Sequence, residues 1–398
     1  MPLDERLENK ASVLALAPPS VSVVIVNWNY GRFIRETIQS VRGLTYGNYE
    51  CIIVDNGSTD DSVEVILDEI RGQRNFSLHK LAENIGQLGG ALLALDHVRG
   101  ELVAFVDADD VLFPRFLECH VQVHIGTENP TAFTSSSCFE TNAKGEVLTA
   151  GNWPLLRAWR TAEPTMRAAD NTARLESFDR SAYSALAERT RYVSSAQRGW
   201  NWNPGSANVY RTAMLERVRP KLSGRAVFGG VDTYFCLMLH AITGTNLIDW
   251  PLFVRRIHGS NDFAELPCLV DVRPGVWRHA DGVAVLKLVT LIDRFDELAN
   301  IVSIGRFWSI LDGAVSADRA SALFANRQVH DALIRQYPRL IKVFGEGRVI
   351  HELLARMKAE QGLDIVWRGR KGGTYAAAAW RVAAVNFKRR LRRVFKRS

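Results

Sequence analysis

At 398 residues, 47% hydrophobic and 23% charged, the chain has the composition of a soluble globular protein with room for two or three domains. Its formal charge of +7 is local: residues 368–398 hold eleven Lys or Arg and no acid, and taking those eleven from the fifty bases leaves 39 against 43 acids. A body that is slightly acidic argues against a nucleic-acid-binding domain, which needs a basic face.

The opening MPLDERLENK lacks the basic flank and apolar core of a signal peptide. No apolar run approaches the roughly 20 residues of a membrane span. Cys51, Cys119, Cys138, Cys236 and Cys268 show neither close pairing nor zinc spacing. A reducing, cytoplasmic setting is expected.

Residues 1–19 read as a weakly structured lead-in ending at Pro18-Pro19. VSVVIV (21–26) is a continuous β-branched run, the mark of a strand covered on both faces. Phe33, Ile34, Thr37, Ile38 and Val41 then keep helical spacing. YECIIVD (49–55) is a second strand, followed by the Asn56–Thr59 turn, where Ser58 or Thr59 is expected to cap a helix carrying Asp60 and Asp61 in its first turn. FSLHKL (76–81) is a third strand, and residues 84–100 open with glycines and settle into a helix. ELVAFV (101–106) is a fourth, with Asp107, Asp109 and Asp110 at its end. Alternation with short loops implies a mainly parallel sheet, whose ligands sit at the carboxyl ends of strands. Asp55 and Asp107 both fall there.

Beyond residue 131 the alternation loosens. TAFTSSSCFE reads as a strand, 152–200 is polar and Arg-rich, and Trp153, Trp159, Trp200 and Trp202 cluster around it. SANVYR (206–211) is a strand, Asp232–Thr243 a helix, and 275–365 a separate helical region.

Carboxylates crowded at one strand end repel, so a cation must sit among them or one must hold a proton. Alternate carboxylates leaving a strand suit a hard divalent ion, magnesium or manganese. Taken alone, the same residues fit a solvated acidic turn equally well.

VSVVIVNWN, IIVDNGSTD, ENIGQLGGAL and LVAFVDADD occur in order, each after a predicted strand. This series resembles the nucleotide-sugar half of family-2 glycosyltransferases of the GT-A fold, over roughly residues 20–262. The resemblance implies an α/β, GT-A-type domain in two halves (20–130 nucleotide-binding, 131–262 acceptor); beyond it the sequence itself reads as a helical C-terminal domain (263–366) and a basic amphipathic tail (367–398). The resemblance also implies that Asp55 accepts the uracil N3–H of a UDP-sugar and that Asp107 and Asp109, flanking Ala108, hold Mn²⁺ or Mg²⁺ on the diphosphate. Asn27, Asn29 and Gly86 belong to the same donor-binding motifs. The family's third motif usually ends with an Arg. Here GQLGGALL has none, and Gln87 stands as the candidate replacement.

Asp232, after a Gly-Gly turn and opening a helix, is the candidate base for an inverting transfer, the alternative being a plain N-cap. The family pattern places Glu-Asp here, whereas Val231 precedes Asp232 in this chain. VRRIHGSN resembles the segment that closes the donor site, with His258 on metal or phosphate and Arg255 or Arg256 on the diphosphate. Trp200 and Trp202 are either sugar-stacking acceptor contacts or core, and Arg211 either an anchor or a phosphate partner. In the tail, Trp380, Ala384, Phe387, Leu391 and Val394 alternate with bases as in a cationic amphipathic helix suited to an anionic membrane. The expected activity is inverting transfer of a sugar from a nucleotide-sugar to a glycan or lipid-linked acceptor in cell-surface polysaccharide synthesis, at the inner membrane face. The rival readings are a sugar nucleotidyltransferase, which would open with a Gly- and Arg-rich loop absent from VIVNWNYGRF, and a non-catalytic scaffold.

Overall fold

The computed structural model describes residues 17–150, 158–203, 205–222, 224–259, 261, 280–299, 306–315, 320–370 and 372–394. Trp153, Cys268, most of the lead-in and the last four residues of the tail lie outside them. Eleven strands form one sheet: β1 (Val21–Asn27), β2 (Tyr49–Asp55), β3 (Phe76–Lys80), β4 (Leu102–Asp107), β5 (Val111–Leu112), β6 (Phe133–Asn142), β7 (Val147–Ala150), β8 (Glu163–Pro164), β9 (Thr190–Val193), β10 (Asn208–Arg211) and β11 (Thr245–Ile257). The order is β3-β2-β1-β4-β10-β6-β11-β9-β8, with β5 on β11 and β7 on β6.

The pairs β3-β2, β2-β1 and β1-β4 are parallel. β10 then runs antiparallel between β4 and β6, and β11 is parallel to β6 but antiparallel to β9. The parallel expectation therefore describes the first half, and the second half is mixed. β11 passes through an irregular register at Pro251, a residue that cannot donate to the ladder.

The apolar run of β1 is explained by the two cores it separates. Val21, Val23 and Ile25 join one cluster with Ile34, Ile38 and Phe116, while Val24 faces the other with Val54, Leu88 and Leu92. That second cluster continues without a break through helix Val231–Thr243 into helices Ala280–Asp293, Phe307–Gly313 and Arg327–Phe344. The helical region is thus built onto the sheet and does not stand apart from it.

The first helix runs Gly31–Arg42, burying the residues expected from its spacing. The second starts later than expected, at Ser62, with Asp61 at its N-cap. Ser58 cannot cap it because its groups serve the strand ends, as shown below. Helices Gln87–Ala94 and Phe116–Gly126 complete the first half. In the segment that composition left unassigned, Asp179 caps helix Arg180–Glu188 by accepting from Ala182 N at 2.7 Å. The four described cysteines are buried and free. Among the described residues no helix is long and apolar enough to cross a membrane.

Candidate active site

Strand register sets the first part of the site. Asn27 pairs with Asp55 and Val26 with Asp107, so three motif residues share one carboxyl edge. Asn27 and Asp55 are buried. Asn27 Nδ2 donates to Asp55 Oδ1 at 3.0 Å and to Ser58 Oγ at 3.1 Å, and Ser58 N donates to Asp55 Oδ2 at 3.1 Å. Each Asp55 oxygen therefore meets one N–H donor, leaving lone pairs to accept more. Asn29 adopts the left-handed conformation (φ 57°), which Asn tolerates better than most residues. Its Oδ1 accepts from Thr59 N at 2.7 Å and its N–H donates to Ser58 Oγ at 2.9 Å.

Asn56 ties this edge to the glycine-rich loop. Its Nδ2 donates to Asn84 Oδ1 (2.9 Å) and Gly86 O (3.1 Å), and its Oδ1 accepts from Ile85 N (3.0 Å). An Asp could not make the two donated bonds, which gives this chain's Asn a physical reason. Gly86 has φ +84° and would put a Cβ 2.4 Å from Val227 O, so glycine is required. The next residue, Gln87, sends Nε2 to Asp107 Oδ1 at 2.6 Å.

Three carboxylates, Asp107, Asp110 and Asp232, meet at Gly205 and Ser206, and a fourth, Asp109, lies close to the first two. Ser206 Oγ donates to Asp110 Oδ2 (2.6 Å) and accepts from Asp107 N (3.0 Å). Gly205 N donates to Asp232 Oδ2 at 2.9 Å. A Cβ on Gly205 would lie 2.2 Å from Asp107 Oδ2. Asp109 Oδ2 lies 2.9 Å from His258 Nε2 and accepts from Asn261 Nδ2 at 3.1 Å. Among the described residues no Lys or Arg forms an ion pair with any of the four. Burial, then the nearby Asp110, Asp109 and Asp232 charges, push the Asp107 carboxyl well above its usual range. Asp110 is pushed up to about 7 by burial and by Asp109, against the opposing pull of Ser206, Arg255 and the Arg256 N–H.

Asp232 lies in the first turn of its helix, where Thr233 N also donates to Oδ1 at 2.6 Å. Ala108 is buried and its carbonyl accepts from Thr37 Oγ1 at 3.0 Å. The two candidate arginines have protein partners: Arg255 meets Glu140 at 3.1 Å, and the buried Arg256 pairs with Glu36 while lying 4.8 Å over the Phe33 ring. His258 packs against Tyr30 and Phe33. Arg211 is an anchor, donating to Thr131 O and His124 O. Trp202 is wholly buried against Phe133 and His240, leaving no ring face for a sugar, so of its two readings the structure takes the core. Trp200, half-buried, rests on Trp202 at 5.1 Å.

Gly205, Ser206 and Asn261 escaped the sequence reading. The first two sit in a loop whose glycine and serine look like ordinary turn residues. Asn261 closes the quoted VRRIHGSN, but only folding shows that it reaches Asp109.

The residue types gathered here are those a divalent ion would use. The donors are carboxylate oxygens with one imidazole, no Lys or Arg among the described residues forms an ion pair with those carboxylates, and the missing Gly205 side chain makes room for the Asp107 carboxylate itself. Among the described residues no three His, Cys, Asp or Glu side chains are arranged to hold a metal ion by themselves. An open site completed by substrate oxygens and water is the usual arrangement for such ions.

A parallel half-sheet with motif carboxylates on its carboxyl edge, joined to a mixed half that supplies a further carboxylate, defines an α/β fold of the GT-A type with a C-terminal helical extension. Residues 22–162, about a third of the chain, match the family model "Glycosyl transferase family 2". An uncharacterized glycosyltransferase of Nostoc sp. is 39% identical over 104 residues, 26% of this chain and 32% of that protein. EpsH of Bacillus subtilis, provisionally assigned as a glycosyltransferase, is 24% identical over 246 residues, 61% of this chain and 62% of its own. The chain thus spans less than two thirds of either relative. The crystal structure of S. aureus TarS 1–349 aligns over 94% of this chain and 91% of its own, at 15% identity and a TM-score of 0.46.

Proposed function

We propose that the chain transfers a sugar from a UDP-sugar to an acceptor hydroxyl, with inversion, in the synthesis of a surface glycan. The observation that carries this reading is the gathering of Asp107, Asp109, Asp110 and Asp232 on the carboxyl edge without a Lys or Arg ion partner among the described residues. A family-2 site in that state asks for a cation and a polyanion together.

Asp55 would receive the imide N–H of uracil, because its oxygens are fixed by Asn27 and Ser58 and retain free lone pairs. Asp107 and Asp109 would hold Mn²⁺ or Mg²⁺, with His258 and Asn261 orienting Asp109. When bound, the ion supplies charge neutralisation for a departing diphosphate. Gln87 fixes the rotamer of Asp107 through a neutral amide, where an Arg would add charge. Asp232 would take the acceptor hydroxyl's proton. The two backbone N–H bonds on its oxygens fix its position at the start of the helix. One base on the acceptor side and no covalent step give inversion.

The test is release or transfer of sugar from a panel of UDP-, GDP- and dTDP-sugars with Mn²⁺, repeated with Asp55→Asn, Asp109→Asn and Asp232→Asn. The expected pattern is activity with a UDP-sugar, loss of nucleotide binding in the first two variants, and binding without turnover in the third. Absence of nucleotide binding by the wild type in the presence of Mn²⁺, across the whole panel, would overturn the reading.

A further inference from the structure

Helix Tyr375–Val394 uses one face for the fold and leaves another uncovered. Ala378 and Val382 are buried against helices Glu346–Arg356 and Ala359–Gly369, and Arg381 pairs with Glu346 at 3.1 Å. On the other side Ala376, Trp380, Ala383 and Phe387 are exposed. Their spacing of four, three and four residues keeps them on a single stripe. Trp380 is 73% and Phe387 64% exposed, values at odds with the ordinary burial of such rings. The sequence carries the same spacing on to Leu391 and Val394. Beside the start of the helix, Trp367 and Tyr375 form a second exposed aromatic pair, 5.5 Å apart.

The charge around this stripe selects its partner. From Arg368 to Ser398 there are eleven Lys or Arg and no acid. A second copy of the helix would set its run of bases from Lys388 onward against an equal run in a stretch of sequence that carries no acid. A nucleic acid would satisfy the cations but leave Trp380 and Phe387 in water. An anionic bilayer satisfies both, since headgroup phosphates meet the bases and the interface accepts aromatic rings.

We propose that this outward stripe, with its flanking bases, is a docking surface for an anionic lipid membrane, and that the helix lies along the interface with Trp380 and Phe387 inserted. The sequence stripe gains a definite orientation: Ala378 and Val382 belong to the protein side, and Trp380 and Phe387 to the lipid side. The proposal is independent of the nucleotide-sugar site.

Flotation of the full chain with phosphatidylglycerol–phosphatidylcholine vesicles, against phosphatidylcholine alone, tests it. Wild type is expected to float with the anionic vesicles only, with binding weakened by salt. Trp380→Ser with Phe387→Ser should lower partitioning at least about tenfold, with an unchanged melting temperature because both rings are largely in solvent. Arg389→Glu with Arg390→Glu should also lower it. Equal flotation of the aromatic variant would overturn the proposal. So would equal binding to both vesicle types, or a dimer or an RNA complex that the aromatic substitutions abolish while vesicle binding persists.

Discussion

Gly205→Ala is the sharpest probe of the site. Gly205 has φ +55°, where a side chain costs about 1 kcal/mol. The new Cβ would lie 2.2 Å from Asp107 Oδ2, far inside contact distance, so the carboxylate must turn. Turning it breaks the Gln87–Asp107 hydrogen bond, worth about 2 kcal/mol when the acceptor is charged. The sum, about 3 kcal/mol, corresponds to a melting shift of about 4 °C, because a chain of 398 residues has an unfolding entropy near 0.8 kcal/mol per degree, scaled roughly per residue. Gly224→Ala is the matched control. Its φ is +72° but nothing lies within 4 Å, so it keeps the backbone cost, about 1 kcal/mol, and lacks the clash. Calorimetric melting and titration with UDP in the presence of Mn²⁺ would be run on both. Gly205→Ala should lose about 100-fold in nucleotide affinity and Gly224→Ala none. Should the two variants match in both measurements, the inference that Gly205 makes room beside Asp107 fails.

Two further predictions test the surroundings. Asn56→Asp removes two donated bonds from the glycine-rich loop and places a charge at the Gly86 carbonyl, so amide exchange at Ile85 and Gly86 should accelerate and stability should drop by about 2 kcal/mol; unchanged protection of that loop would refute the role of Asn56. Burial holds the His120 imidazole down to about 3, His240 to about 4, and His124 well below its usual range. Each stays neutral in the fold while the unfolded chain takes up a proton below about pH 6.5, so each contributes stability that is present above that pH and lost on acidification. Asp107 and Asp110, raised in the fold, act in the opposite direction: they keep protons that the unfolded chain releases, and their stability is lost as pH rises through the folded values. The clean readout is therefore a difference. Relative to wild type, His120→Leu should gain about 1.4 kcal/mol per pH unit between about pH 6.5 and 4, and a flat difference in melting temperature would refute the assignment.

The first half of the fold was legible because each buried strand there is a continuous apolar run that ends on a motif residue, and parallel pairing with short crossovers follows from alternation. The register that sets Asn27 beside Asp55 needed only the strand ends. The second half was not legible in the same way. β10 is four residues long, and nothing in its pattern states that it enters antiparallel between β4 and β6. The helix cap lies at Asp61 and not at Ser58 or Thr59, because Ser58 has a competing use, the Asp55 and Asn27 contacts, which local capping rules do not see. Trp202 carried the chemistry of a sugar platform but lies beneath the surface, and burial is a property of the whole chain. Gln87, by contrast, was located as a motif departure, and the structure finds it on Asp107.

The unbroken apolar core from the sheet through Val231–Thr243 to the later helices has a consequence for anyone recombining such proteins. A splice placed between residues 262 and 280 would leave the helix of Asp232 with one side built for neighbours it no longer has. Exchange of the C-terminal portion between relatives should succeed only when the crossover lies upstream of Val231, so that this helix travels with the partners that shaped it.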